Sequence, residues 1–340
     1  MRAYQIINDW GFDNISLVQL DEPTPGPNDV VIKMSAAALN ARDLIVPERG
    51  YGRATGELPL IPISDGVGTV VDVGADVKRV KLGDRVCPTY FQNWISGNPS
   101  QERFASALGG PLNGVMAEYV CLPEEGVVSV PEYLSNREAA TLPCAALTAW
   151  SAIVTQGKTK PGDKILVQGT GGVALFAIQF AKMSGAHVTV VTSSAEKEER
   201  SRSLGADHTI NYSVEKDWVK LSREITNDRG GFDNIIELGG TATLPLALRA
   251  VRPGGTISMI GVLSGLDLNI SAGLIVARQV RLQGVTVGHR DSFEAMLRAM
   301  EFNELHPVLG DHFEFDEFRS ALTSIRTTSR FGKTTVGFQS

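Results

Sequence analysis

The residues best suited to chemistry in this chain are the glycines of the segment Gly169–Gly172. An apolar run, Lys164–Gln168, precedes them, and a helical pattern over Val173–Ser184 follows at once. Glycines let the backbone turn tightly and approach a pyrophosphate, and the helix N-terminus then offers free N–H groups to that anion. Gly169 and Gly171 match the first two glycines of the G-x-G-x-x-G consensus for dinucleotide binding. Ala174 replaces the third glycine, where only a small side chain is needed. With a second β-rich run at His187–Thr192, the pattern predicts dinucleotide binding; a glycine-rich turn without a ligand is the alternative.

Composition and charge narrow the class of protein. With 340 residues, 43% of them hydrophobic, and 35 glycines, the chain suits an α/β enzyme of two domains. Its net charge of −6 argues against nucleic acid as a partner. Cys87, Cys121 and Cys144 are few and widely spaced, which favours a reducing cytoplasm. No stretch has the apolar length of a membrane span, and Met1–Tyr4 leads directly into a strand-like pattern. We therefore expect a cytoplasmic protein without a signal peptide or membrane partner.

The first part of the chain has the alternating pattern of short strands separated by turns. Strands are predicted at Ala3–Ile7, Ser16–Leu20, Val30–Ala36 and Gly66–Val73. The polar, Gly/Pro-rich segment 91–113 is typical of a long surface loop. Ser135, with Glu138 three residues later, predicts the start of a helix, and an apolar helix is predicted at Cys144–Thr155.

From residue 164 onward, strands and helices alternate. Six strands are predicted, at Lys164–Gln168, His187–Thr192, His208–Asn211, Asn234–Leu238, Thr256–Gly261 and Arg281–Val287. Helices are predicted between them at Ala195–Leu204, Val214–Asn227 and Thr243–Val251. This alternation implies a parallel sheet covered on both faces, and six strands suit a doubly wound dinucleotide-binding fold.

The C-terminal part predicts two more helices and a strand. The helices are Asp291–Phe302, with Asp291 as N-cap, and Asp316–Ile325; the strand is Lys333–Phe338. No later βα unit exists for this strand to join, so we place it in the first domain. The predicted architecture is α/β: a doubly wound domain, residues 147–288, inserted in a mainly β domain, residues 1–146 and 289–340.

Several motifs together resemble those of the medium-chain dehydrogenase/reductase superfamily. They are LNARDL (39–44), IPISDGVGTVVDVG (61–74), LGDRV (82–86), TLPCAALTAWSAI (141–153), the GTGGVA turn (169–174), LGADHTINY (204–212), RPGGTISMIG (252–261) and FGKTTV (331–336). The resemblance covers nearly the whole chain. It implies a GroES-like catalytic domain, a Rossmann domain that binds a nicotinamide dinucleotide, and a homodimer formed through the region Gly255–Thr286 with the strand Arg281–Val287.

The resemblance also bears on zinc. Zinc-dependent members use a Cys, a His and a second Cys as catalytic ligands, and Asn40, Ser64 and Cys144 stand at the matching positions. Asp65 matches an acid beside the usual His, but zinc needs three or four such ligands. The chain is therefore similar to the zinc-free branch, which includes quinone oxidoreductases and alkenal or enone reductases, and we expect no metal.

The choice between NAD and NADP depends on the end of the second strand of the Rossmann domain. NAD sites normally have Asp or Glu there to bind the ribose 2′-hydroxyl, and that carboxylate repels a 2′-phosphate. Here Thr192, Ser193 and Ser194 follow instead. Resemblance to NADPH-using relatives adds Lys197 and Tyr212 as neighbours of the 2′-phosphate, although Lys197 also suits a solvated helix face. We therefore favour NADP over NAD.

The resemblance implies further contacts with the cofactor. Thr148 would pack on the nicotinamide, backbone groups of Val285 and Val287 would hold its carboxamide, and Lys333 would lie near the pyrophosphate. An ordinary strand-edge lysine is the alternative for Lys333. The remaining contacts come from the glycine turn and from two strand ends: Gly169, Gly171, Gly172, Val173, Leu238, Gly261 and Val262.

The absence of a zinc ligand set also indicates a substrate class. A quinone or an α,β-unsaturated carbonyl needs less activation than a simple ketone, because the charge from hydride addition delocalises and a hydrogen-bond donor suffices. Asn40, Tyr51 and Ser64 are the predicted catalytic residues, Asn40 being favoured by family position, while a turn tyrosine without a role remains open for Tyr51. A zinc-independent alcohol dehydrogenase and a non-catalytic NADPH-binding sensor are the alternatives.

Overall fold

The computed structural model describes residues 1–226, 230–261, 264–265, 269–327 and 331–338, leaving out the side chain of Thr327. It divides into two compact units, Met1–Leu147 with Val287–Ser340, and Thr148–Thr286. We call them the split unit and the inserted unit. That the split unit binds substrate and the inserted unit binds the cofactor stays a prediction.

The described strands and helices follow one another along the chain. The strands are β1 (Arg2–Ile6), β2 (Ile15–Gln19), β3 (Asp29–Ala38), β4 (Asp65–Val73), β5 (Arg85–Pro88), β6 (Tyr119–Pro123), β7 (Val127–Ser129), β8 (Lys164–Gln168), β9 (His187–Thr192), β10 (His208–Asn211), β11 (Phe232–Glu237), β12 (Val251–Met259), β13 (Arg281–Gly284), β14 (Leu309–Glu314) and β15 (Lys333–Gly337). The α-helices are α1 (Gln101–Phe104), α2 (Asn136–Ala139), α3 (Leu147–Trp150), α4 (Gly172–Met183), α5 (Ala195–Ser203), α6 (Trp218–Ile225), α7 (Leu244–Ala250), α8 (Ala272–Arg278), α9 (Arg290–Phe302) and α10 (Phe318–Thr327). π-Helical segments flank α3 at Leu142–Ala146 and Ser151–Thr155. No helix in the described part of the chain is long and apolar enough to span a bilayer.

The inserted unit is built on a parallel sheet. In the described part of this unit the strand order is β10-β9-β8-β11-β12-β13, so the chain winds outward from β8 in both directions. Parallel strands buried on both faces need continuous apolar runs, and the buried Ile165–Val167 segment of β8 is one. The α/β fold with a Rossmann-like parallel sheet, predicted from the alternation of strands and helices, is confirmed.

The split unit is mainly antiparallel. Its described strands form a sheet in the order β14-β15-β3-β4-β5-β7, with β6 also paired to β3. The C-terminal strand β15 pairs with β3 through Thr335–Gly337, so the end of the chain returns to the first half of the sequence. Apolar side chains from both ends of the chain, such as Ile32, Val70 and Phe318, share one core.

Two features of the split unit differ from the sequence predictions. Asp291 is not the N-cap of α9: the helix begins at Arg290, and Nδ1 of His289 accepts the hydrogen bond from Ser292 N–H at 3.0 Å. A neutral imidazole has a lone pair that serves a cap as an oxygen does. The segment 91–113 is a surface loop only in its centre: residues 95–105 are exposed or partly exposed, whereas Phe91, Trp94 and Leu108 at its two ends are buried. Its aromatic side chains pack on one another within an irregular backbone that has no periodicity to detect.

The inserted unit also differs locally. The helix predicted at Val214–Asn227 begins only at Trp218, after the cap Asp217, whose side chain accepts from Lys220 N–H; Asn227 lies outside the described residues. Helix α8 and, in the split unit, strand β14 were not predicted. Each element is short, and β14 is stabilised by its parallel pairing with β15.

Candidate functional site

The glycine turn lies where β8 ends and α4 begins. Gly169 has a φ of +77°, which favours glycine, and its N–H donates to Val191 O at 2.7 Å. Gly171 is the N-cap of α4 and supplies no side chain to the first helical N–H groups. A Cβ atom on either glycine would meet no heavy atom within 4 Å. The turn therefore leaves open space beside the N–H groups at the start of α4, which fits the pyrophosphate of a nicotinamide dinucleotide.

The end of β9 has hydroxyl groups and no acid. Thr192 is buried, and its carbonyl accepts from Tyr212 N–H at 3.0 Å. Ser193 and Ser194 are partly exposed, and Ser194 caps α5 by accepting from Lys197 N–H at 3.4 Å. Because a capping hydroxyl still has its own O–H to donate, Ser194 remains a possible partner for a phosphate. The Tyr212 side chain is exposed.

The ends of β8 and β11 contain a buried polar pair that sequence reasoning missed. Gln168 Nε2 donates to Glu237 at 2.7 Å, and Glu237 also accepts from the N–H groups of Gly239 and Gly240 and from the Thr243 hydroxyl. The sequence signal that could have revealed this pair is Glu237, an acidic residue inside the apolar run Ile235–Leu238. Glu237 thus fixes the turn after β11 by satisfying its backbone donors.

The remaining predicted cofactor residues of this region are buried or tightly packed. A Cβ on Gly261 would lie 1.8 Å from Leu238 O, so only glycine fits there. Thr148, Val285 and Val287 are buried, and the Val285 N–H donates to Met259 O at 2.9 Å. Val287 has a φ of +48°, a conformation that β-branched residues rarely adopt. Val262 lies outside the described residues. The cofactor contacts of all these residues, and of Val173 and Gly172 at the start of α4, stay predictions.

In the split unit, Asn40 and Lys333 form one contact group. Asn40 precedes the 3₁₀ turn Ala41–Leu44, and its N–H donates to Asp43 Oδ2 at 2.7 Å. Lys333 lies on β15, and its ammonium donates to Leu39 O and, at 2.6 Å, to Asn40 Oδ1. Lys333 is only 4% exposed. The contact with the cofactor pyrophosphate proposed for Lys333 stays a prediction, while in this structure its ammonium is held by Leu39 and Asn40.

Ser64 and Asp65 extend this group. The Ser64 hydroxyl donates to Asp65 Oδ1 at 2.6 Å, and the Cys144 N–H donates to Asp65 Oδ2 at 3.0 Å. Ile63, just before them, has a φ of +70°, and a Cβ on Gly109 would lie 2.7 Å from its carbonyl carbon. The backbone of the segment 109–114 therefore packs against this strained residue and fixes the direction of Ser64 and Asp65. The Ser64 proton is directed to Asp65, and the predicted catalytic role of Ser64 stays a prediction.

Arg42 and Tyr51 lie on the other side of the same group. The buried Arg42 guanidinium donates to Leu108 O at 2.9 Å and to Gly110 O at 3.0 Å, and it lies 4.9 Å from the centre of the Tyr90 ring. Tyr51 is 44% exposed. Burial of its hydroxyl end raises the pKa of Tyr51, while Arg42 opposes the shift, so the phenol stays protonated at neutral pH. Tyr51 is therefore a neutral O–H donor at the edge of the group.

Burial controls the charges of this group. It raises the pKa of Asp43 to about 6, against the attraction of Arg42. It also raises the pKa of Asp65, against the attraction of the Lys333 ammonium and the hydrogen bond from Ser64. The pKa of Cys144 is raised far above its usual range by burial and then by the Asp65 carboxylate, so Cys144 is a thiol at neutral pH.

These residues do not fit a zinc ion. Zinc is bound by three or four thiolate, imidazole or carboxylate ligands. Here the positions matching zinc ligands have an amide, a hydroxyl and a protonated thiol, and a buried ammonium donates to the amide. In the described part of the chain, no three His, Cys, Asp or Glu side chains are grouped so as to hold a metal.

Comparisons with known proteins agree with this fold. Family models match residues 26–132 as an alcohol dehydrogenase GroES-like domain and residues 172–301 as a zinc-binding dehydrogenase domain. Zinc-type alcohol dehydrogenase-like protein C1773.06c of Schizosaccharomyces pombe is 39% identical over 330 residues, 95% of each chain. Zinc-type alcohol dehydrogenase-like protein YogA of Leptosphaeria maculans is 34% identical over 341 residues, 95% of this chain and 94% of that one.

A solved structure, named as an alcohol dehydrogenase of Sinorhizobium meliloti 1021, has a TM-score of 0.93 and 40% identity, over 99% of this chain and 98% of that one. Relatives between 26% and 31% identical bear the names NAD-dependent alcohol dehydrogenase, quinone oxidoreductase and acryloyl-coenzyme A reductase. The fold and these relatives define an NAD(P)-dependent oxidoreductase. The chain belongs to the medium-chain dehydrogenase/reductase superfamily.

Proposed function

We propose that this enzyme transfers hydride from NADPH to a quinone or an α,β-unsaturated carbonyl without a metal ion. The observation that carries the proposal is the network at the positions that match zinc ligands. Asn40, Ser64 and Cys144 there are engaged with Asp65 and Lys333, and they present no ligand set for a Lewis acid. A substrate whose charge delocalises on hydride addition is activated sufficiently by hydrogen bonds.

The split unit supplies the hydrogen-bond donors. The bound nicotinamide supplies the hydride. The neutral Tyr51 phenol donates to the carbonyl oxygen of the substrate as negative charge develops there. Asn40 has two amide N–H donors, and Lys333 holds its Oδ1, so the amide orientation is fixed. The proton that completes reduction at carbon is taken from solvent, so neither side chain has to be deprotonated.

NADP is proposed over NAD because of the end of β9. The partly exposed Ser193 and Ser194 donate hydrogen bonds to a 2′-phosphate, and no carboxylate follows the strand at that point to repel it. Lys197, whose N–H is held by Ser194, lies in the first turn of α5. A relative named as NAD-dependent is 31% identical, so the ratio of kcat/KM for the two cofactors is the required measurement.

The test is oxidation of NADPH and of NADH with 1,4-benzoquinone, 9,10-phenanthrenequinone and a short alkenal, with and without a chelator. NADPH oxidation that the chelator does not change supports the proposal. Activity lost with chelator, or found only with NADH and an alcohol–aldehyde pair, contradicts it. Turnover of an alcohol with chelator present would favour a zinc-independent alcohol dehydrogenase; the names of two similar proteins contain the words alcohol dehydrogenase, and one of them reads zinc-type. NADPH binding without any turnover would favour a sensor protein.

We also propose that the protein is a homodimer. Among the described strands, β13 is the edge of the parallel sheet, and α8 exposes Leu274 and Val276, the latter 76% exposed. An unpaired edge beside exposed apolar side chains suits association with a second copy. Gel filtration with light scattering tests this proposal, and a monomer at micromolar concentration contradicts it.

The three cysteines are unpaired, which suits the proposed cytoplasmic location; cell fractionation tests that point.

A further inference from the structure

Lys333 is an unusual residue within the split unit. It is 4% exposed, whereas lysine is almost never buried without a partner. Its strand β15 pairs with β3, whose end leads to Leu39 and Asn40, and the ammonium donates to both. Two of the three N–H donors of the ammonium are thus directed at the segment that contains the predicted catalytic amide.

Two buried carboxyl groups interact electrostatically with this lysine. Asp65 is completely buried, and Asp43 is 2% exposed. The Lys333 ammonium attracts both carboxylates, which lowers their pKa values against the effect of burial. A buried carboxylate is costly unless a positive charge or several hydrogen bonds compensate it, and Asp65 has its two hydrogen bonds from Ser64 and Cys144 together with this charge.

We propose that the Lys333 ammonium takes the place that a metal ion has in zinc-dependent relatives: it balances Asp65 and, by holding Asn40 Oδ1, fixes the amide for catalysis. Lys333 is then a positioning residue. The part of this inference that concerns catalysis rests on the proposed reductase function. It differs from the pyrophosphate contact implied by the resemblance, because a pyrophosphate ligand acts on cofactor affinity, whereas a positioning residue acts on turnover.

The kinetic experiment compares Lys333→Met, which removes the charge, with Lys333→Arg, which retains it. Lys33→Met, at an exposed lysine of β3 in the same sheet, is the matched control. We expect K333M to lower kcat roughly 100-fold, as the loss of an aligned donor does, with the NADPH dissociation constant changed less than about threefold. We expect the kcat of K333R to be about tenfold higher than that of K333M, because a cation is restored. A K333M variant with normal kcat and weakened NADPH binding overturns the inference in favour of the pyrophosphate role.

The stability experiment does not depend on activity. If Lys333 balances Asp65, K333M lowers the melting temperature, and the double variant K333M/D65N recovers most of the loss, because the uncompensated carboxylate is gone. Additive losses in the double variant overturn the inference, even if K333M itself is inactive. If the wild-type enzyme turns over no quinone, alkenal or alcohol, the proposed function fails, and the double-variant cycle still decides the role of Lys333 as the internal cation. If K333M does not fold, soluble and folded K333M/D65N supports the inference, and failure of both contradicts it.

Discussion

The candidate sites of the two units are built by different physical means. In the inserted unit, the glycine turn offers backbone N–H groups and open space, and side chains take little part. In the split unit, the group around Asn40, Asp65 and Lys333 is made of buried side chains that come from segments almost 300 residues apart in the sequence. Backbone recognition requires only that side chains be small, whereas a buried polar network requires every partner to be present.

This difference determines how each unit responds to substitution. If the turn holds the cofactor, a side chain placed in the open space beside it should weaken binding without disturbing the fold, since no contact is lost. Removing one member of the buried network leaves the others unpaired, so activity and stability change together. Four predictions follow this contrast, from the largest expected change in free energy to the smallest.

Gly171→Val tests the glycine turn. Its φ is −77°, and a Cβ there meets no neighbour, so we expect the melting temperature to stay within about 2 °C of wild type. The side chain occupies the space for the pyrophosphate, and we expect the NADPH dissociation constant to rise about 1,000-fold, or ~4 kcal/mol. Fluorescence titration measures the constant. Gly171→Ala should have a smaller effect in the same direction, and undiminished binding by both variants would show that the turn does not contact the cofactor.

Asp43→Asn tests the buried network through its pH dependence. The folded-state pKa of Asp43 is raised from 3.8 to about 6, so the folded protein holds this proton more tightly than the unfolded chain. The contribution of Asp43 to stability is therefore complete below pH 4 and is lost as the pH rises through 6. Arg42, Asp65 and Lys333 are the charged groups that act on it.

We accordingly expect the wild type to lose up to about 3 kcal/mol relative to D43N between pH 4 and pH 7, from two units of pKa shift. Urea unfolding at each pH measures the difference. The asparagine still accepts the hydrogen bond from Asn40 N–H, so its fold should be kept. Parallel pH profiles for the two proteins would contradict the raised pKa.

Ser193→Asp tests the proposed cofactor preference. A carboxylate at the end of β9 repels a 2′-phosphate and can accept from a ribose 2′-hydroxyl. We expect the ratio of kcat/KM for NADPH over NADH to fall about 30-fold, or ~2 kcal/mol. Ser193→Asn is the matched uncharged control and should change the ratio far less. An equal change in both variants would assign the effect to shape instead of charge.

Tyr51→Phe tests the proposed donor. Tyr51 is 44% exposed, so the free energy of unfolding should change by less than about 0.5 kcal/mol. Loss of one O–H donor to the developing charge should lower kcat about tenfold, or ~1.4 kcal/mol, with the NADPH dissociation constant unchanged. Steady-state kinetics with a quinone measure the effect. Unchanged turnover would remove Tyr51 from the mechanism and leave Asn40 as the donor.

The sequence predicted the fold well where the pattern is local. The strand bounds of β8, β9 and β10 agree with the prediction, and β8 and β9 are rich in apolar residues. The capping box of Ser135 and Glu138 is also confirmed at the start of α2. Prediction failed at Asp291, where an imidazole replaced the expected oxygen cap, and at the two ends of the segment 91–113, where tertiary packing of aromatic rings gives order without periodicity.

The sequence by itself determined the glycine turn, the alternation that makes the parallel sheet, and the residue types at the positions that match zinc ligands, because these depend on residue type and short-range spacing. Only the tertiary structure brought Lys333 to Asn40 and directed the Ser64 hydroxyl to Asp65. It also placed the Arg42 guanidinium where it donates to the carbonyls of Leu108 and Gly110. Those contacts join distant segments, and burial then sets the charge of each group. A sequence shows which groups are present, whereas their protonation and partners follow from the dielectric and the neighbours that folding provides.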